Sequence, residues 1–214
     1  MKNREKRFVA LLISIALVLA CMPIANAANL GTLTYWNANY TEDSTTEIGR
    51  WLANSITIRA TKINSNANFS FLIAIDHGVT QWKNTLGKTI TSSSTVTSGD
   101  IEWYGGTLAE IKAYTGYTLP DDVAGKTRYY YKSTEGTWTY QNSTKTGYLF
   151  SFIYCYTVDN GYTANQYKNV STHELGHALG WIGHSTSSSD VMYPTMSSIT
   201  QLTTRDKNHL SQVY

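Results

Sequence analysis

Residues 171–185 read STHELGHALGWIGHS, with two histidines four residues apart and a glutamate directly after the first. A helix turns about 100° per residue, so His173 and His177 fall on one face, one turn apart. Two imidazoles so placed hold one Zn2+ through ring nitrogens at about 2.0–2.1 Å. Glu174 lies about 100° round the helix from His173. Its carboxylate reaches a water at the metal rather than the metal itself, the position a general base needs.

A catalytic zinc takes three protein ligands and keeps one position open, so a third donor is required. In the usual extension of this spacing it comes three residues after a glycine. Gly180 supplies the glycine, but the expected position is Gly183, which has no side chain, and His184 comes one residue late. The alternatives are Asp190, beyond a serine-rich loop, and a glutamate from another helix. His184 is the favoured third ligand. It has the right donor, it follows a flexible glycine, and the cost of closing a loop changes slowly with its length. Gly180 is free to adopt positive φ, end the helix and turn the chain back over the metal.

A second element follows. DVMYPTM, residues 190–196, places Met192 and Pro194 shortly after His184. Through His173, Glu174, His177, Gly180, His184, Met192 and Pro194 the chain resembles the metzincin superfamily, and within it the matrixin-like branch of secreted zinc endopeptidases. The resemblance is carried by residues 170–194, runs on toward the C-terminus, and is architectural upstream. It implies that Met192 and Pro194 form a structural turn beneath a three-histidine zinc site. The implied fold is α+β: a twisted, mostly parallel five-stranded sheet, two long helices below it, and an active-site helix ending at Gly180. The implied activity is zinc-dependent endopeptidase. Zn2+ is held by His173, His177 and His184, Glu174 activates the water at the metal, and the substrate is a protein or peptide. An exposed edge strand within residues 125–133 or 147–158 would align that substrate by strand addition.

The chain departs from the family in three ways. The third histidine is late. The upstream His- and Asp-rich segment that binds structural zinc and calcium in many matrixins is not visible, so those ions are not carried over. No cysteine-switch propeptide is recognisable. Tyr193 directly follows the turn methionine, whereas the ligating tyrosine of the astacin-like branch sits two residues after it, so Tyr193 receives no metal role.

The elements that must position these residues are legible in part. Phe71, Leu72, Ile75, Val79, Trp82 and Leu86 recur at helical spacing, and Gly87 ends the run. His77 on this helix has no partner motif and reads as a packed or polar-face residue. Thr107 and Glu110 have capping-box spacing and start a short helix through Tyr114. Ser44 and Glu47 share that spacing, but residues 55–61 nearby alternate like a strand. Residues 31–40, 100–106, 126–133 and 146–158 read as strands from their β-branched and aromatic content. Residues 91–99 read as a surface loop or weak strand. Residues 203–214 fit a last helix capped by Thr204, with Leu210 and Val213 facing the core.

The 214-residue chain suits one domain. Its first residues, MKNREKR, are basic, residues 8–20 are apolar, and Ala25 and Ala27 flank Asn26 in a small-x-small pattern. That is a secretory signal over residues 1–27, cleaved after Ala27, leaving 28–214 as the catalytic domain. The apolar run is short of the ~20 residues that span a membrane. Lipidation at Cys21 is the lesser alternative, because Leu19 fits its cleavage pattern poorly. The full chain carries 17 basic and 15 acidic residues. Loss of Lys2, Arg4, Lys6, Arg7 and Glu5 leaves 13 and 14, a formal charge of −1. No basic face remains to suggest nucleic acid or a membrane surface as partner. The expectation is a monomer outside the cell, with no stable membrane association. Cys155 is then the sole cysteine and reads as a buried thiol with no internal disulfide.

A competing reading is a secreted, non-catalytic domain that keeps this fold and binds a cell-surface or matrix polymer through its many Tyr and Trp residues. The intact Glu174 argues against it, since a binder has no need of the base. For export, N-terminal sequencing of secreted material should give a mature protein starting at Ala28; a lipid-modified start at Cys21 would contradict this.

Overall fold

The computed structural model describes residues 28–34 and 47–214. Its strands are β1 (Asn29–Thr32), β2 (Glu47–Arg50), β3 (Ser55–Lys62), β4 (Thr89–Ser93), β5 (Ile101–Gly106), β6 (Gly125–Tyr140) and β7 (Ser143–Val158). Its helices are α1 (Phe71–Leu86), α2 (Leu108–Thr115), α3 (Ala164–Ala178) and α4 (Thr204–Ser211). None of these helices is long and apolar enough to cross a membrane. The signal segment 1–27 and Ser44 lie outside the described residues, and Glu47 opens β2 rather than closing a capping box.

The strands make one sheet in the order β1-β6-β7-β5-β3-β4, with β2 also paired to β7. Among the described residues β6 and β7 form the antiparallel pair and the other pairings are parallel. The mixed, mostly parallel α+β sheet is as expected, but among the described residues it has seven strands rather than five. The reason is the length of the β6–β7 hairpin, whose strands run 16 residues each. The second half of β7 pairs with β5, which leaves its first half to pair with β2, while β1 joins the far half of β6 at Thr137–Thr139. Gln141 and Asn142 close the hairpin with φ of 45° and 62°, the two consecutive positive values of a turn whose twist matches the strands. Of the first strand expected over 31–40, residues 31 and 32 belong to β1 (Asn29–Thr32), and residues 35–40 lie outside the described residues.

The long helices α1 and α3 pack on one face of the sheet over Ile56, Ile58, Ile101, Trp103, Ile153 and Cys155, all buried. They approach closely where Gly78 meets α3. A Cβ at Gly78 would stand 3.2 Å from the Thr172 Cα. Trp82 locks the crossing, its indole N–H donating to the Thr172 carbonyl at 2.8 Å. Fully burying side chains such as Ile58 contributes about 1.5–3 kcal/mol each. Cys155 is the buried thiol expected of it, and burial raises its pKa well above the ordinary thiol value. On the opposite face the short α2 covers Tyr104, Tyr156 and Val158 with Ile111.

Helix starts follow the capping rule more widely than the sequence pattern suggested. Thr107 and Glu110 form the expected box. Thr163 and Gln166 form another, so α3 begins at Ala164, well before His173. The last helix is capped by Thr203 rather than Thr204, because Thr203 has Asp206 at the third helical position to complete its box. Leu210 and Val213 are buried as expected.

His209 on α4 stacks on Trp181 with ring centroids 3.8 Å apart. Burial holds its pKa down to about 3, against about 6.5 in an unfolded chain. Below pH 6.5 the unfolded chain takes up a proton that the folded chain refuses, so stability falls as pH drops from about 6.5 toward 3. Between pH 7 and 5 this one group should remove about 2 kcal/mol. Denaturant unfolding of metal-free protein at the two pH values should show His209→Gln losing about 2 kcal/mol less than the parent; an equal loss would contradict the assignment.

Candidate active site

Helix α3 is polar in sequence yet buried from Asn169 to Ala178 except at the half-buried His173. Several of its polar groups are satisfied inside the protein. Asn169 donates to the Ile199 carbonyl at 2.7 Å and accepts from Ser197 N–H at 2.9 Å. The Thr172 hydroxyl donates to the Lys168 carbonyl at 2.7 Å. The helix is thus clamped by its surroundings before it presents His173, Glu174 and His177.

The helix ends at Ala178, two residues before the expected Gly180. Gly180 then makes the turn, with φ +118°. Its N–H donates to the His177 carbonyl and the Trp181 N–H to the Gly176 carbonyl, each at 2.9 Å. This pair of bonds is a Schellman closure, which needs a left-handed residue at the position Gly180 holds. A Cβ on Gly180 would overlap the Gly49 carbonyl oxygen of β2. Trp181 and Ile182 follow, and both side chains are buried in the core. The additional residue is therefore taken up by an inward turn anchored in the core. Gly183, at φ +92°, reverses the chain again, and His184 arrives beside the helical pair.

The three rings stand 4.6, 5.1 and 5.0 Å apart, centroid to centroid. One ligand nitrogen from each of His173, His177 and His184 lies within 4.8 Å of the others. Backbone carbonyls orient two of the rings. His173 Nδ1 is 2.9 Å from the Val191 carbonyl and His177 Nδ1 is 2.6 Å from the Trp181 carbonyl. A carbonyl accepts only, so each Nδ1 carries the proton and each Nε2 keeps its lone pair. The two Nε2 atoms face each other at 3.0 Å, an arrangement that a shared cation satisfies. Burial holds His173 down to about 4 and His184 to about 3, and it pushes His177 well below the usual range, helped by the neighbouring histidines. All three are neutral at pH 7, the form that binds metal. Three neutral imidazoles are a donor set suited to Zn2+.

Asp190 is occupied elsewhere. Its buried carboxylate accepts from the Ser185 hydroxyl, from Thr203 at 2.8 Å and from Arg205 Nε at 2.6 Å. Burial pushes its pKa up, but these bonds outweigh it and hold the carboxyl below its usual value. His77 is also remote, its ring bonded to the Thr200 carbonyl at 2.7 Å.

Met192 lies directly beneath the helix and is fully buried. A Cβ on Gly176 would stand 2.5 Å from its Sδ, so only glycine lets the turn approach this closely. Asp206 at the start of α4 accepts from Val191 N–H at 3.1 Å and Met192 N–H at 3.3 Å. The Met192 carbonyl accepts from Ser185 N–H at 2.7 Å, next to His184. Pro194 follows, half-buried, in the same turn segment. The turn thus joins α4, the backbone beside His184 and, through the Val191 carbonyl, the His173 ring.

Glu174 is buried on the side facing the start of β6. Its Oε2 accepts from the Thr127 hydroxyl at 2.6 Å. A Cβ at Gly125 would stand 2.7 Å from its Oε1. Burial raises the Glu174 pKa to about 7, partly offset by the Thr127 bond and the Lys126 charge. The sequence reading missed Gly125, Thr127 and Asp206. Strand alternation puts Gly125 and Thr127 on one face, but only the packing of β6 over α3 shows what that face meets. Of the two candidate edge segments, 147–158 is interior, since β7 pairs with β6 on one side and with β5 and β2 on the other. Among the described strands, β6 is paired on its outer side only by β1 at Thr137–Thr139, which leaves the edge of 125–133 open beside Glu174.

The turn at Gly180 generates a direct expectation. Gly180→Ala must carry a side chain at positive φ, costing about 1–2 kcal/mol, and must also push Gly49 away. Zinc affinity, measured by competition with a chromogenic chelator, should fall at least tenfold. Gly161→Ala is the control: Gly161 also has positive φ (71°), but its Cβ position faces open space, so it should lose stability only. Zinc held equally tightly by Gly180→Ala and the parent would contradict this account.

No curated protein sequence matches the chain. The family description of the matrixins matches it over residues 74–214, from within α1 to the C-terminus, taking in the hairpin, α3, the Gly180 turn, Met192 and α4. The chain belongs to the matrixin family, and its function is of the zinc metallopeptidase type.

Proposed function

We propose that this chain is a secreted zinc-dependent endopeptidase whose catalytic domain is residues 28–214. The observation that carries the reading is the convergence of His173, His177 and His184 beside Glu174, under the open edge of β6. The three histidines would hold the ion through nitrogens that are neutral at working pH. When bound there, zinc supplies a Lewis acid that acidifies coordinated water and polarises a carbonyl.

The remaining work falls to the chain's own groups. The outer edge of β6 offers backbone N–H and C=O groups to an extended peptide, which joins as a further strand. This fixes the scissile bond in register with α3. Glu174 takes the proton of the attacking water and later delivers it to the leaving amine. Its Oε1 is the oxygen free for this transfer, because Oε2 is held by Thr127. Glu174 and Thr127 are both buried, which limits access of competing water.

The N-terminal basic and apolar segments support export, with the mature chain starting at Ala28 and acting as a monomer on protein or peptide. Glu174→Gln keeps the shape of the side chain and removes the base. It should retain one zinc per chain and the parent's melting temperature while casein cleavage falls about 1000-fold or more. Turnover above a tenth of the parent would overturn the reading. Inability of the zinc-loaded parent to cleave casein, at a rate that chelator abolishes, would favour the binding-domain alternative.

A further inference from the structure

Thr127 makes a contact that the sequence motif does not contain. Its hydroxyl lies 2.6 Å from Glu174 Oε2 and 3.1 Å from the Glu174 backbone carbonyl. On the other side it lies 3.6 Å from Cys155 Sγ, its cross-strand partner on β7. Thr127 is buried, and Cys155 is completely so. With Glu174 ionised, its carboxylate and backbone carbonyl oxygens accept only, so the Thr127 proton points toward Glu174. The thiol is the remaining donor and points its S–H at the Thr127 oxygen. The three side chains form one directed chain, S–H to O–H to carboxylate.

We infer that Thr127 is a positioning residue for Glu174. By holding Oε2, it fixes the carboxylate plane and presents Oε1 for proton transfer. This rests on Glu174 being the base. Two further features of β6 fit the role. Gly125, on the same face, leaves room for the carboxylate, since a Cβ there would stand 2.7 Å from Oε1 and 2.8 Å from Cγ. The strand that carries Gly125 and Thr127 is also the one whose outer edge is open to a peptide. The base and the substrate backbone are therefore held by the same strand, and their relative placement does not depend on a loop. Removing a supporting hydrogen bond of this kind from a site residue costs about 10–100-fold.

The test uses Thr127→Val, which keeps the shape and removes the hydroxyl, and Thr127→Ser, which keeps the hydroxyl. Thr127→Val should lower kcat about 10–100-fold with KM within about twofold, one zinc per chain and an unchanged melting temperature. Thr127→Ser should stay within about threefold of the parent. Crystal structures give a readout independent of turnover: Glu174 should keep one orientation in the parent and in Thr127→Ser, and should turn or split in Thr127→Val. A single, parent-like Glu174 orientation in Thr127→Val, or an unchanged kcat, overturns the inference. If Thr127→Val fails to fold, a Thr127→Ser enzyme with a turned Glu174 overturns it equally. Should Glu174→Gln remain active, the base assignment fails, and the crystallographic comparison still decides whether Thr127 orients that side chain.

Discussion

The site depends on one turn, the left-handed closure at Gly180. A helix brings two imidazoles together by its own repeat, but it cannot bring a third donor from the same segment to the same point. The chain has to leave the helix sharply and return. Gly180 provides the left-handed step, the two Schellman bonds close the helix end, and Gly183 supplies the second reversal. Trp181 and Ile182 between them are buried in the core. The turn is therefore a packed element, and the carbonyl it leaves exposed to the site, that of Trp181, orients His177. The residue that makes His184 late in sequence belongs to the structure that delivers it.

The rest of the fold holds this turn from outside. β2 runs against Gly180 so closely that no side chain fits there, which ties the first part of the chain to the site. From below, Met192 packs on Gly176, and Asp206 fixes the peptide groups of Val191 and Met192. The Val191 carbonyl then orients His173. His173 and His177 are thus each aimed by a carbonyl from a different neighbouring turn. From above, β6 supplies Thr127 to Glu174. Burial serves all of these groups in the same direction, keeping the imidazoles neutral and raising the carboxyl to about 7.

What could be seen in the sequence was local. The helical spacing of His173 and His177, the positive-φ role of Gly180, the α1 periodicity closing at Gly87 and the box at Thr107 each depend on residues within a few positions of one another. The choice between His184 and Asp190 rested on donor type and reach, and the packing separates them by giving Asp190 to Arg205, Thr203 and Ser185. What stayed hidden was non-local. The two additional strands follow from a hairpin longer than its most β-prone residues suggest, since residues 134–140 and 143–145 fall outside the expected strands 126–133 and 146–158 but extend β6 and β7. Thr127 has the same residue type as many others in a threonine-rich chain, and only the register Thr127↔Cys155 over α3 distinguishes it. Asp206 has no local signal beyond its place in the first turn of α4, and its bonds to the Met192 turn cross from one loop to another helix.

The central claim is that the Gly180–Gly183 turn delivers His184 as the third donor to one metal shared with His173 and His177. A crystal structure of the zinc-loaded protein, with an anomalous map collected at the zinc edge, tests it most directly. The account predicts a single strong peak at about 2.0–2.1 Å from one ring nitrogen of each of the three histidines, with the Glu174 and Asp190 carboxylates outside bonding distance. A peak bound by His173 and His177 with Asp190 or Glu174 in place of His184 would contradict it.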